Sequence, residues 1–362
     1  MVHINVVSLK KGNRMREVKE KSRKKTSNIV NAYSGYDHYI AVDWSQKKMA
    51  LARISKSRPN KVRVSEHPSD YQELQKMLGS IQGRRIVVLE ESSPAQWLYL
   101  QLYDYAEKIV ICDPYRNRLL SEGPKTDPID ARKLCLLLYS GMIKEIYHSH
   151  VKVYELRKYV SSYIDLVKMG VRVKNQRTGF LSQEGKSKTM SDKIESESTS
   201  FVLDLQSEQI NLYELQKEKY EELFKKLCKE NKTLKCLCTI PGIAEISAVK
   251  ILAMMVDAKR FPKTKHYLAY CGLVSHIIES GGKVYGYRRP RYSRVLKEVY
   301  KTAASSVMNG SGPLGKTYEH YLDKGMSEHN ARHALARYIA GISFGIVKTE
   351  TIFKAYEETK VK

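Results

Sequence analysis

The sequence contains no apolar run long enough to span a bilayer, and its N-terminus has no apolar core of the signal-peptide type. Membrane-spanning and secreted classes are therefore set aside, and a cytoplasmic protein is the expectation. Cysteine is scarce, with six residues in 362. Cys228, Cys236 and Cys238 form no CxxC pair and have no neighbouring histidine, so neither a zinc site nor a disulfide framework is expected. Cys112 and Cys135 lie in apolar runs, as buried free thiols do. Acidic residues are in the minority: 39 Asp and Glu against 63 Lys and Arg give a formal charge of +24. An imbalance of that size points to a polyanionic partner, most simply nucleic acid. Proline is absent from residues 151–232, where Leu, Glu and Lys recur at helical spacing.

The length allows two or three domains with real cores. Residues 1–37 read as a basic, flexible arm, with nine Lys and Arg between Lys10 and Lys25. From His38 the pattern changes to strands at His38–Trp44, Lys48–Ile54 and Lys61–Glu66, with a turn over Ser55–Asn60. A helix over Ser69–Leu78, a buried strand Arg85–Glu90, a helical stretch Pro94–Tyr105 and a short strand Lys108–Cys112 follow. A further helix begins at Asp127, with Pro128 in its first turn. The order of three strands, helix, strand, helix, strand, helix is that of a ribonuclease-H-like, or RuvC-like, mixed-sheet domain over 38–150.

Four acids fall at telling places in that order. Asp43 lies on the first strand, Glu90 ends the fourth, and Asp127 and Asp130 sit three apart at a helix start. Carboxylates from adjacent strand ends and a helix terminus can converge on a pair of Mg²⁺ ions for phosphodiester transfer. The alternative for the helical pair is an ordinary cap and first-turn acid that suits the helix dipole. Glu91 competes with Glu90, because adjacent strand residues point to opposite faces.

Residues 151–232 read as a helical hairpin or coiled coil, with helices at Val153–Phe180 and Ser200–Cys228 and a flexible tip over Ser182–Ser198. It is either a spacer or a dimerisation arm. Residues 233–362 form a small helical domain. Cys236–Met255 is helix-hairpin-helix-like, with Gly242 in a tight turn that could hold a DNA phosphate or serve packing alone, and with Ala244 where a second glycine is usual. Ser280 precedes Gly281, Gly282 and Lys283, which by chemistry alone is most often a turn. Arg288, Arg289, Arg291 and Arg294 alternate with Tyr285, Tyr287 and Tyr292, a pattern suited to backbone contact with stacking. His329 and His333, four apart, suit a solvated helix face better than a metal pair.

The blocks "AVDWS", "VVLEESS" and "KTDPIDARKL" resemble the DEDD motifs of the insertion-sequence 110 family of transposases, relatives of the Piv-type DNA invertases. "IPGI", "AYCGLV" and "SGGK" follow the order and spacing of that family's C-terminal transposase domain. The resemblance covers roughly His38 to Tyr356. It implies an acidic tetrad of Asp43, Glu90, Asp127 and Asp130 holding Mg²⁺, with Mn²⁺ as the alternative ion, and Glu90 rather than Glu91 as its second member. It implies that Ser280 attacks the DNA backbone to form a phosphoserine link. Lys283 would then stabilise developing charge or hold the phosphate, while Lys125, Arg288, Arg289 and Arg291 would contact nucleic acid. Tyr292 and Ser293 are rival nucleophiles. "EESS" and the Arg-Arg-Pro-Arg-Tyr segment depart from the family's usual forms. The resemblance also implies DNA and an element-encoded guide (bridge) RNA as partners, and a homo-oligomer, dimer or tetramer, in which tetrad and serine could form one site between subunits. Two other classes share these features: a metal-dependent RuvC-like nuclease of the Holliday-junction resolvase type with an inert Ser280, and a non-catalytic nucleic-acid-binding relative.

Overall fold

The structure is a computed structural model that describes residues 33–117, 126–149, 152–186, 196–288 and 290–355. The chain divides into two compact units, Met1–His150 and Val151–Lys362.

The first unit is a six-stranded mixed sheet with helices on both faces. Its strands are β1 (His38–Trp44), β2 (Lys48–Ser55), β3 (Arg58–Pro68), β4 (Arg85–Glu90), β5 (Lys108–Cys112) and β6 (Glu145–Ile146), in the spatial order β3-β2-β1-β4-β5-β6. The pairs β1–β2, β2–β3 and β5–β6 are antiparallel, whereas β1–β4 and β4–β5 are parallel. The parallel pairs need crossover helices, supplied by α1 (Tyr71–Ser80) and α2 (Ala95–Leu102). Asp70 starts α1 by accepting from the amides of Gln72 and Glu73. The central strands are apolar on both faces. Ile40, Val42, Leu51, Val87 and Leu89 pack under α1 and α2, and Ala41, Ala52, Ile86, Val88 and Val110 pack under α3 (Asp127–Tyr139). This mixed architecture fits a ribonuclease-H-like domain. The short strand β6 is an addition to the expected order. Most of the basic arm lies outside the described residues, but Tyr33 near its end is buried in the α3-side core, its hydroxyl donating to Glu145.

In the second unit, α4 (Leu156–Gln183) and α5 (Glu197–Glu230) run antiparallel. Tyr220 donates to Ser162 at one end, Lys174 meets Glu214 midway, and Arg177 donates to the Leu203 carbonyl and the Ser207 hydroxyl further along. Gly170 lets the helices close, since a Cβ there would lie 2.5 Å from the Tyr213 ring. Most of the expected tip between them lies outside the described residues. Their basal residues Val160, Tyr163 and Phe224 share one core with α6 (Lys232–Leu237), α7 (Glu245–Met255), α8 (Thr264–Tyr270), α9 (Arg294–Val307), α10 (Pro313–Asp323) and α11 (Glu328–Thr349). Gly242, in the turn between α6 and α7, has φ +83°, and a Cβ on it would meet the Ala303 carbonyl at 2.8 Å. That glycine is fixed by close approach to α9. The unit is not wholly helical: β7 (His276–Ser280) and β8 (Lys283–Arg288) form an antiparallel hairpin.

Candidate active site

The acids of the first unit are sorted by strand parity. Side chains at alternate positions share a face, so Asp43 lies on the side of Tyr39 and Ala41, and Glu90 on the side of Ile86 and Val88. That is the side covered by α3, whose first turn carries Asp127 and Asp130. In the parallel register Val42 is paired with Leu89, so Asp43 and Glu90 follow each other at the C-terminal ends of adjacent central strands. All four acids thus belong to one face. Asp127 is the first helical residue and Thr126 the N-cap, without a side-chain capping bond. The Asp130 amide donates to the Thr126 carbonyl at 2.9 Å.

Glu91 turns the other way. Its carboxylate is 2.6 Å from Nε2 of His148, whose ring is almost fully buried and holds Gln96 Oε1 at 2.7 Å through Nδ1. Gln96 in turn donates to the Ser149 carbonyl. Glu91 therefore ties the end of β4 to the segment after β6.

Among the described residues no three His, Cys, Asp or Glu side chains lie close enough together to hold a metal ion. The tetrad is gathered on one face without forming a preformed cage. The donor set nevertheless suits a hard divalent cation, being four carboxylates with no nitrogen or sulfur. One observation marks Asp130 in particular. Its Oδ1 is buried with no hydrogen-bond partner, and its ion-pair partner among the described residues is Lys133 Nζ at 3.8 Å, beyond hydrogen-bonding distance. A buried carboxylate oxygen left in that state is costly unless something else satisfies it. Lys125 lies outside the described residues.

A residue absent from the expected set organises the loop after β5. Asp113 is buried, accepts from the Tyr115 amide at 3.1 Å and pairs with Arg116 at 3.4 Å. Asn117 reinforces it, donating to the Asp113 carbonyl and accepting from the Lys144 amide. The Asp-Pro pair after the strand was the available signal, since aspartate stabilises turns through its own backbone. Burial pushes the Cys112 thiol up to about 12, helped by the nearby carboxylates of Glu90 and Asp113, which keeps it out of nucleophilic chemistry.

In the second unit, Ser280 is the last residue of β7 and pairs directly with Lys283 across a two-residue turn. Gly281 and Gly282 have φ of +59° and +77°, the left-handed pair that such a turn needs. Directly paired residues point to the same face, so both side chains leave one face at the tip of an exposed hairpin. Arg288 sits at the base of the hairpin opposite His276 and is exposed. Arg291 is exposed in the turn before α9, and Arg289 lies outside the described residues. Both rival nucleophiles hold structural positions. Ser293 is the N-cap of α9, its Oγ accepting from the Leu296 amide. The Tyr292 ring packs where a Cβ on Gly272 would stand and carries Lys297 over its face at 4.8 Å.

The His329 and His333 rings are 4.7 Å apart. Burial, then His329 and the cations Lys301, Arg337 and Lys297, lower the pKa of His333. The six cysteines are free thiols, five of them buried. Among the described residues no helix is long and apolar enough to cross a membrane.

Comparison with known proteins covers both sites. A DEDD transposase model of IS110 type matches residues 40–185, which include Asp43, Glu90, Asp127 and Asp130. A second model, the transposase IS116/IS110/IS902 family, matches residues 234–320, which include Ser280. The chain is also similar to the "Insertion element IS110 uncharacterized 43.6 kDa protein" of Streptomyces coelicolor, at 26% identity over 120 residues. That alignment spans 33% of this chain and 30% of the relative. A domain of DEDD type points to the use of a divalent metal.

Proposed function

The chain belongs to the IS110 family of transposases, and from that premise we propose that it cuts and rejoins DNA to move an insertion element. The reading rests chiefly on the four acids sharing the α3 face of the sheet.

Asp43, Glu90, Asp127 and Asp130 are the residues that would hold Mg²⁺ or Mn²⁺. When bound, the ion supplies charge that stabilises the phosphodiester oxygens during transfer. Ser280 is the proposed nucleophile: its Oγ forms a bond to phosphorus as one phosphorus–oxygen bond to deoxyribose breaks. The serine gives up its proton and the departing sugar oxygen gains one as a free hydroxyl. The phosphoserine ester keeps the energy of the broken bond, so a second sugar hydroxyl can reverse the step and rejoin the strands. Lys283, paired with Ser280 across the turn, is suited to hold the phosphate. Lys125, Arg288, Arg289 and Arg291 follow as nucleic-acid contacts.

The reading extends to a guide RNA, in keeping with the net charge of +24, and to a homo-oligomer. For the latter, α5 carries a stripe of exposed Phe201, Leu205, Leu212 and Leu215 on one helical face. A coiled-coil arm and a helix-hairpin-helix-like turn around Gly242 belong to the same reading.

The test is incubation of the protein with its element's DNA, associated RNA and Mg²⁺, followed by a denaturing gel. DNA covalently attached to protein is expected, and its loss in both Ser280→Ala and Asp127→Ala. Cleavage without an adduct, undiminished in Ser280→Ala, would leave a RuvC-type nuclease in place of a serine recombinase. Binding without any cleavage would leave a nucleic-acid-binding relative.

A further inference from the structure

A second polar site lies on the first unit, on the sheet face opposite the acids and at the other end of β1. His38, at the start of β1, pairs with Ser55 of β2, which pairs with Arg58 of β3. Two residues further along β2, Arg53 pairs with Arg63, and Lys61 shares the face of Arg63. The register of three adjacent strands thereby brings three arginines and a lysine around one cavity of about 240 Å³. Arg53 and Ser55 alternate with Leu51, which is packed under α1 and α2, so the cavity opens on that face where the apolar cover ends. From His38 to Asp43 is five residues of strand, roughly 16 Å.

Among the described residues nothing neutralises this cluster. Arg53, Arg58, Lys61 and Arg63 make no ion pair with the described residues. The neighbouring Asp37 spends one carboxylate oxygen on the Arg84 amide at 2.8 Å. Glu66 pairs with Ala50 and so lies on the α3 side. The Ser55 and Ser57 hydroxyls are 2.9 Å apart and add donors. His38, which also lines the cavity, keeps its buried Nδ1 without a hydrogen-bond partner. Four like charges gathered without a counter-charge repel, and a bound anion reverses the sign of that energy. The guanidinium forks fit paired oxygens on one phosphorus.

We propose that this cavity is a phosphodiester-binding site that holds the backbone of a nucleic acid away from the acid-bearing face. The assignment does not depend on the recombinase reading, because it concerns binding alone.

The test uses the full chain in EDTA, with a short single-stranded RNA and a short DNA duplex as probes, read by fluorescence anisotropy over a salt series. Arg53→Gln/Arg63→Gln is compared with Lys225→Gln/Lys229→Gln, which removes the same charge from the exposed face of α5. The cavity pair is expected to bind about tenfold more weakly. The slope of log affinity against log salt should fall by about 0.7 on the RNA or about 0.9 on the duplex for each phosphate lost. The control pair is expected to change affinity by less than about twofold. Loss on RNA alone assigns the site to an RNA strand, loss on the duplex alone to DNA, and loss on both to either backbone. Equal losses in cavity and control pairs would overturn the proposal. Arg53→Lys/Arg63→Lys and the single Lys61→Gln keep the test open if the glutamine pair misfolds. The lysine pair should keep the salt slope but bind more weakly than wild type, and Lys61→Gln should lose more affinity than Lys225→Gln or Lys229→Gln made singly. The readout is binding in EDTA, with no cleavage step, so failure of the catalytic reading leaves this result intact.

Discussion

Asp130→Asn is expected to remove activity and, in the absence of divalent metal, to cost the first unit no more than about 1 kcal/mol of stability. Oδ1 of Asp130 is buried and has no hydrogen bond. Leaving a buried polar atom unsatisfied costs about 1–3 kcal/mol, more when it is charged. Two favourable terms oppose that cost. The Lys133 partner at 3.8 Å contributes about 0–1 kcal/mol as a partly exposed pair within one helix. An acid in the first turn of α3 gains about 0.3–1 kcal/mol from the helix dipole. Replacing the carboxylate with an amide of the same shape takes the charge out of that buried position, which eases the first term, and forfeits the other two. A relief of about 1–3 kcal/mol set against a loss of about 0.3–2 kcal/mol leaves a net change from about 1 kcal/mol against the variant to about 2.7 kcal/mol in its favour. For a unit of this size 1 kcal/mol corresponds to roughly 2–4 °C. The assay is thermal unfolding in EDTA and again in Mg²⁺, with hydrogen exchange of the α3 amides to isolate the first unit. Wild type should gain stability from the ion, by about 2.7 kcal/mol at a hundredfold excess over its dissociation constant. Asp130→Asn should gain far less. A variant that loses more than 1 kcal/mol in EDTA, while still responding to Mg²⁺ as wild type does, would refute the reasoning and make Asp130 a structural acid.

The two neighbouring glutamates should separate cleanly: Glu90→Gln abolishes strand cleavage, whereas Glu91→Gln keeps cleavage but loses about 1–3 kcal/mol in denaturant unfolding, because its short contact with buried His148 is weakened. Gly242→Ala is expected to destabilise the second unit by about 2–4 kcal/mol, combining a left-handed backbone with a Cβ pressed on the Ala303 carbonyl; unchanged unfolding would show that the turn relaxes. For His333 the sign follows from its lowered folded-state pKa. The unfolded chain binds the proton more readily, so stability falls as pH drops from the ordinary value near 6.5 towards the lower folded value. His333→Gln should flatten that slope in the pH dependence of the second unit's melting temperature, and an unaltered slope would assign it elsewhere.

The sheet was legible because its central strands are short apolar runs bounded by turn residues, and that signal needs no partner to interpret. The acids were legible for the same reason: Asp43 and Glu90 close apolar strands, and Asp127 opens a helix behind Thr126 and ahead of Pro128. Glu90 was preferred to Glu91 on the resemblance alone; strand parity sets the two over different cores, which is visible only once the sheet is folded. Other features depend on register and carry no local mark. The strand β6 is two residues long and exists only as the partner of Ile111 and Cys112. Arg53, Lys61 and Arg63 look like scattered surface charge until the β2–β3 pairing sets them side by side. Gly242 reads as a turn glycine, but what fixes it is the carbonyl of Ala303, sixty-one residues away, a constraint of tertiary packing.

The hairpin that carries Ser280 was legible at its turn and illegible along its strands, and the reason bears on function. A half-buried strand alternates apolar and polar residues because one face is covered. In β7 and β8 no such alternation exists: Ile277 and Ile278 are consecutive, and Val284, Tyr285 and Tyr287 are all exposed. Neither face of the hairpin is committed to a core. A two-stranded ribbon with no covered face has little stability of its own, so the tip is held by the Gly281–Gly282 turn geometry and the β7–β8 ladder. The acids, by contrast, stand on the central strands of a sheet whose core side chains are almost wholly buried. The proposed metal-binding face is thus built on the rigid part of its unit, and the proposed nucleophile on a part whose apolar faces are free to be covered by what it binds.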